Sequence, residues 1–474
     1  MTAHAPLLAI TVALPLVGAL LVTRSLSVAR ARRIGALVSG LVVLALAALL
    51  AALVSGGGGR VEDPAVALGP LGTRPLFGLD PLSAVLAMTN AITAFAVLVG
   101  APRARDERPR ITALLLTEGL ILTMVSTLDL VVLAVAFAGL TFPARARQRG
   151  RREGPQSARL LRYVFVVGAL PLALALGLVL VEGAPLGLGL DLRAIGSSGG
   201  GSPIVLGLVL VAVFVRMALV PGHSWLPALT QYGPLGTTVL LVASQSGAYL
   251  FVRLVIPSLG DHAHELTTVL TVIGALSALY ASALAVVTDD LRRLIGWLSA
   301  SQAGLMLVGL SSLEPDGTAG AIVYWISYGT AVTGLALTTW AVQARTGTTR
   351  ISELGGLVRS APRLTVAFAA FSVASVGFPG SLGFVAEDLL VHGVVEAHPV
   401  FGVVMVIATA LCGIALIRAL FGTFFGPTKI DAPADLRSRE GAVVAGLAAL
   451  VFGLGLWPAP LIELVDLARP LLQR

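Results

Sequence analysis

Lysine is almost missing from this chain: of 32 basic residues, Lys429 is the single lysine and the others are arginines. A guanidinium stays protonated in proteins, whereas a desolvated amine can release its proton. A relay of buried lysines that load and unload protons is therefore excluded. Cysteine is equally scarce. Cys412 stands alone in an apolar run, which excludes a disulfide framework and a cysteine-based metal site. Charged residues make up 12% of the chain, against roughly 25% in a soluble globular protein. That excludes a soluble enzyme, a disordered chain and a nucleic-acid reader, although the isoelectric point is near 10.3.

What the chain does have is apolar length. Over 474 residues it is 56% hydrophobic, with a mean hydropathy of +0.93, the profile of a polytopic membrane protein. Runs of spanning length recur at about 5–23, 34–54, 80–100, 112–127, 129–143, 161–181, 204–221, 226–255, 266–287, 294–312, 319–342, 363–395, 400–425 and 441–458. The expected fold is all-α, with about 14 transmembrane helices, because lipid requires each spanning backbone to satisfy its own hydrogen bonds. The first run lacks a basic leader and a small-residue cleavage pattern, so it is expected to be a retained span. Leu461 to Arg474 reads as a short interfacial helix.

The arginines are unevenly divided between alternate loops. Loops after odd-numbered spans hold 24 basic residues, Arg292 and Arg293 among them, and those on the opposite side hold 6. By the positive-inside rule both termini face away from the cytoplasm, in a cell (inner) membrane of prokaryotic type. The longest polar segment, Ala144 to Arg162, is then a cytoplasmic basic loop suited to anionic lipid or to partner docking. Gly56–Gly59 and Gly196–Ser202 are external loops, and no soluble domain interrupts the spans.

Two apolar segments are interrupted. One reads RMALVPGHSWLP from Arg216 to Pro227, followed by Tyr232-Gly-Pro234; the other runs from Gly377-Phe-Pro to Glu387 and Asp388. Proline removes a donor and clashes with the preceding turn, so each helix is expected to break there. Each break alone could be an ordinary kink, but paired breaks point to inverted repeats around a transport path. Ionisable residues inside spans are costly unless wet or paired. They are Glu118, Arg216, His223, Glu387 and Asp388, with His392 at i+4 from Asp388. Either a transport role or a static ion pair would account for Glu118, Arg216 and Glu387. His223 is a proton carrier or a structural histidine. Adjacent Glu387 and Asp388 would repel if both were ionised, which would keep one protonated. Asp80, Asp129, Asp289 and Asp290 lie near span ends and are expected to cap them.

These residues carry a resemblance over nearly the whole chain. Arg216–Pro227 resembles the K-M-A-x-x-P-x-H-x-W-L-P signature of the antiporter-like subunits of respiratory complex I, which are related to subunits of Mrp antiporters and membrane-bound hydrogenases. Gln245-Ser-Gly-Ala-Tyr249, the run from Asp290 to Gln302, Leu354-Gly-Gly356, Gly383-Phe-Val-Ala-Glu387 and Phe421–Pro427 fit as well. Glu118 and Glu387 look like subunit M, whereas Tyr324 and Tyr328 look more like subunit N. The resemblance implies two inverted five-helix repeats, each with a broken helix, at 111–255 and 256–427. They are flanked by helices 1–3 at 1–110 and by helix 14 and a tail at 428–474. It also implies a midplane proton relay, from which this chain departs. Ala138 stands where the family has glutamate, Arg216 and Gln245 replace its two lysines, and Tyr328 and Val332 replace a histidine and a lysine. Glu387 alone matches a family relay residue. Arg216 then needs a new counter-ion, for which Glu118 is the candidate.

The implied function is a membrane subunit taking part in proton translocation coupled to quinone reduction by partner subunits. The proton path would use Glu118, Arg216, His223, Gln245, Glu387 and Asp388. Two alternatives stand beside it: a non-pumping scaffold paralogue, and the membrane half of a two-component inorganic-carbon transporter. No quinone, flavin, nicotinamide or iron–sulfur motif is present, so redox cofactors are expected only in partner subunits. The expected partners are other membrane subunits, protons and lipids, and not nucleic acid.

Overall fold

The computed structural model describes residues 6–57, 59–64, 66–67, 73–74, 76–103, 106–142, 164–181, 191–192, 202–259, 263–430 and 434–468. The whole basic loop from Ala144 to Arg162, and the Gly196–Ser202 loop except Ser202, lie outside these residues.

The chain begins with α1 (Leu7–Thr23) and α2 (Val28–Ser55). Two short antiparallel ribbons follow, β1 (Val61–Glu62) with β4 (Gly78–Leu79) and β2 (Val66–Ala67) with β3 (Thr73–Arg74). Then come α3 (Pro81–Gly100), α4 (Arg108–Ser126), α5 (Leu130–Gly139) and α6 (Leu170–Val181), the last entered through a π turn at Val164–Ala169. The middle of the chain is fragmented into α7 (Pro203–Met217), α8 (Trp225–Tyr232), α9 (Leu235–Ser244) and α10 (Ser246–Leu250). Long helices return with α11 (Ala263–Val287), α12 (Leu291–Ser312) and α13 (Pro315–Thr346). The last elements are α14 (Pro362–Ser375), α15 (Leu382–Ala397), α16 (Pro399–Phe424), α17 (Ser438–Leu456) and α18 (Ala459–Asp466). The expected single run at 226–255 is thus corrected. Gly233-Pro234 ends α8, and a second discontinuity at Gln245 separates α9 from α10.

The helices start where their sequences say they should. Proline occupies the first turn of α3, α7, α13, α14 and α16, where its missing N–H costs nothing. Asp80, Asp129 and Asp290 cap α3, α5 and α12, accepting from Ser83 N (2.9 Å), Val131 N (2.8 Å) and Arg293 N (2.9 Å). Asp289 instead holds a loop, accepting from Ser352 N at 3.0 Å and Ser352 Oγ at 2.5 Å. Asp80 also pairs with Arg253, whose Nη2 lies 2.7 Å from the carboxylate, and with Arg60 at 3.8 Å. Lys429 lies on an exposed loop and donates from Nζ to the Ser352 carbonyl at 2.8 Å.

Among the described residues, nine segments are long and apolar enough to cross a membrane, and α1, α5, α6 and α7 are shorter apolar helices. The spans divide into a centre and a rim. The most apolar windows of α12 and α13 are 100% buried in the bundle, while those of α2 and α17 are 33% and 22% buried. The rim exposes Leu44, Val400, Ile417 and Leu456, side chains suited to lipid. In lipid, close backbone approach through small residues holds helices together. A Cβ on Gly304 of α12 would lie 2.7 Å from Ala278 N on α11, and one on Gly320 of α13 would collide with the Leu390 backbone of α15.

Candidate functional site: two broken helices and the polar residues between them

The first break follows α7. Ala218 adopts a left-handed conformation at φ 57°, and Pro221 cannot continue the helix. The freed backbone groups are taken up by side chains. Trp225 Nε1 donates to Val215 O at 2.7 Å, and Val220 N donates to Ser277 Oγ at 3.0 Å. Arg216, in the last turn of α7, is buried. Its Nε donates to Ser246 Oγ at 3.0 Å, and its Cζ sits 4.8 Å from the Phe137 ring centroid on α5. Its Nη2 has no hydrogen-bond partner, and Arg216 forms no ion pair among the described residues. A cation–π contact and one hydroxyl therefore stand in for a carboxylate.

Gln245 shapes the acceptor. It takes φ 39°, ψ 49°, uncommon for a residue with a Cβ. Trp325 Nε1 on α13 donates to the nearby Ala243 carbonyl at 2.9 Å. Gly247 then rests on α7, where an added Cβ would meet Met217 N and Val213 O at 2.9 Å. This close approach delivers Ser246 to Arg216. His223, half-buried beyond the break, packs edge-on to Tyr280 at 5.1 Å and beside Trp297 at 5.7 Å, with a buried, unpartnered Nδ1. Tyr280 and Trp297 also line a cleft of about 590 Å³ together with Asp289, Asp290, Arg293 and Arg350.

The second break lies between α14 and α15. Gly377 (φ 65°) and Gly380 (φ 91°) make the turn. A Cβ on Gly377 would fall on Glu387 Oε2, so a side chain there would push the carboxylate aside. Glu387 Oε1 accepts from Thr409 Oγ1 of α16. Tyr324 of α13 is buried within electrostatic range of Glu387, and its hydroxyl has no partner.

Hydroxyl-rich contacts join α12 to α13, α14 and α16. Ser299 and Tyr328 hydroxyls are 2.8 Å apart, the Cys412 thiol donates to Ser301 Oγ at 3.5 Å, and Gln302 Nε2 donates to Ser375 O at 3.4 Å. Hydroxyls both donate and accept, so such groups can pass a proton on without holding charge themselves. Buried polar atoms without protein partners, Tyr324 Oη and Gln302 Oε1 among them, are the kind that ordered water satisfies.

Two expectations are corrected. Glu118 of α4 does not pair with Arg216. It is fully buried, accepts from Ser39 Oγ of α2 at 2.9 Å, and keeps Oε2 unpartnered. Asp388 does not crowd Glu387. Successive helical residues are 100° apart, and Asp388 is exposed on the outer face of α15 with His392, while Glu387 turns inward to Thr409. The structure thus gathers Arg216, His223 and Gln245 near one break and Glu387 at the other, where the adjacent Asp388 faces outward, and leaves Glu118 apart from both. Sequence reading missed Phe137, Ser246, Ser39 and Thr409. Nothing marks them out, because most hydroxyls in apolar helices bond back to their own turn, as Thr117 does to Ala113 O. It also placed Arg292 in a loop. Arg292 is buried, donating to Thr230 O at 2.8 Å and to Gly233 O at the end of α8.

Residues 148–412 match the family model described as NADH:quinone oxidoreductase/Mrp antiporter, transmembrane. The chain belongs to this family. NADH-quinone oxidoreductase subunit 13 of Thermus thermophilus is 33% identical over 389 residues, covering 80% of this chain and 81% of that protein. F(420)H(2) dehydrogenase subunit M of Methanosarcina mazei is 30% identical over 263 residues, 54% of this chain and 53% of the relative. The chain spans about half the length of that relative and of the subunits M it matches similarly. Among solved structures, a chain of respiratory complex I from Thermus thermophilus with bound NADH superposes with a TM-score of 0.86 at 28% identity, covering 98% of this chain and 99% of that one. This overlap extends the likeness to α1–α5, which precede the residues matched by the family model.

Proposed function

We propose that this family member is a membrane subunit of a multi-subunit assembly, taking part in proton translocation coupled to quinone reduction carried out by its partners. The observation that carries this reading is Glu387: an inward-facing carboxylate at a helix break, bonded to a hydroxyl and within electrostatic range of the buried Tyr324 and Cys412. Arg216 is a fixed charge in this scheme. No proton leaves it. Protons move by Glu387, hydroxyls and water, with His223 beside the cleft and Glu118 as further titratable stations. Cofactors belong to the partner subunits. The outward Asp388 and His392, too polar for lipid on a spanning helix, support a polypeptide neighbour on that face.

The same proposal includes fourteen spans: α1 to α6, α7 with α8, α9 with α10, α11, α12, α13, α14 with α15, α16 and α17. The inverted repeats fall at 111–255 and 256–427, with both termini on the non-cytoplasmic side. A left-handed residue at each break, Ala218 and Gly377, supports the repeats. A scaffold role is the second reading, favoured by Ala138 and by the absence of an ion pair on Arg216 among the described residues.

Proton uptake by the intact assembly in sealed vesicles separates the two. E387Q is expected to abolish coupled uptake with redox turnover of the partners retained, and E118Q to reduce it. Unchanged uptake in both variants would overturn translocation and leave the scaffold.

A further inference from the structure

A groove of about 720 Å³ runs between α14 and α17 on the rim of the bundle. Its buried floor includes Ala367 and Val444, and Val366, Ala370, Ala445 and Ala448 line it further out, small or branched apolar side chains that leave a furrow open to lipid. Two exposed guanidiniums stand at its mouth, Arg363 in the first turn of α14 and Arg437 at the cap of α17. Both stand at helix starts among the basic residues that follow odd-numbered spans.

The carboxylates near this mouth are already committed. Asp435 accepts from Arg363 N at 2.7 Å, Leu364 N at 3.0 Å and Leu436 N at 2.7 Å, so it caps α14. Glu440 takes Arg345 Nη2 at 2.6 Å and Arg437 N at 3.2 Å. Arg363 and Arg437 therefore form no ion pair among the described residues. Two unpaired guanidiniums over an apolar furrow match one chemistry: a phosphodiester above an acyl chain.

We propose that this groove is a binding site for one anionic phospholipid, its phosphate held by Arg363 and Arg437 and one acyl chain lying along Val366, Ala370, Ala445 and Ala448. The discrimination resides in the head group, because a chain in the groove and a chain in bulk lipid are equally apolar. A partner helix seated here would have to bring two carboxylates of its own.

The test uses the full chain in bilayer nanodiscs of phosphatidylcholine with a minor share of phosphatidylglycerol, extracted into mild detergent, with the retained lipid measured by native mass spectrometry. Phosphatidylglycerol is expected to be enriched over its bulk share. R363Q/R437Q should lower that enrichment by about fivefold for each arginine removed, and R363K/R437K should recover most of it. A370F, which fills the furrow and leaves both charges, should also release the lipid. Melting temperatures establish that each variant folds; if the double variant does not, R437Q alone carries the charge test. Equal retention of the two lipids, enrichment that survives R363Q/R437Q, or displacement by excess inorganic phosphate would each overturn the site. Enrichment unchanged in A370F would reduce it to surface charge and overturn the groove.

Discussion

The two breaks are built alike and charged in opposite ways. Each ends a helix on a left-handed residue and restarts it within a few positions, so the backbone device is shared. At the first, the buried charge is a cation held by Phe137 and Ser246 with no ion pair among the described residues. At the second it is a carboxylate held by Thr409 and lying against Gly377, whose left-handed backbone favours glycine. A guanidinium cannot give up its proton and a carboxylate can. The difference teaches that a broken helix is only a mount; the residue placed on it decides whether the site can take part in proton exchange.

The largest effect should come from comparing the two charges directly. E387Q is expected to cut coupled proton uptake by on the order of a hundredfold, the scale of losing a positioned acid–base group, while R216Q leaves it nearly unchanged. Equal losses in vesicle uptake would erase the contrast and bring Arg216 into the path. A smaller effect isolates how the cation is tolerated. S246A leaves a buried charged donor unsatisfied and should destabilise the chain by about 1–3 kcal/mol, read as a lower melting temperature in detergent. No shift would mean that the Phe137 face suffices. The smallest concerns the mount itself. W225F removes the hydrogen bond to Val215 O and should cost about 1 kcal/mol, with uptake retained; a loss of uptake at unchanged stability would make the first break more than a mount.

Much of this was legible in the sequence, for local reasons. Aspartates before apolar runs became caps, prolines marked first turns, and Pro221 and the Gly377–Gly380 turn marked both breaks. The discontinuity at Gln245 was not legible, because neither proline nor glycine occupies it. Its left-handed backbone accompanies tertiary contacts, Gly247 on α7 and Trp325 on the Ala243 carbonyl. Arg292 was misread for a related reason. A basic residue near a span end ordinarily belongs to water, but the open carbonyls of α8 draw this one inward. The partner of Glu118 was equally hidden, since the choice between Ser39 and Arg216 depends on which helices touch, and α4 packs on α2 rather than α7.

The solitary lysine has a practical side. Lys429 is exposed on the loop between α16 and α17, tethered only lightly to the Ser352 carbonyl. Besides the chain's own amino terminus, it is the one primary amine on a 474-residue protein. An amine-reactive dye would mark a known point, and a lysine-specific protease would have a single cutting site. Labelling sealed membranes from one side and then the other would turn that point into a readout of which way the whole chain is threaded.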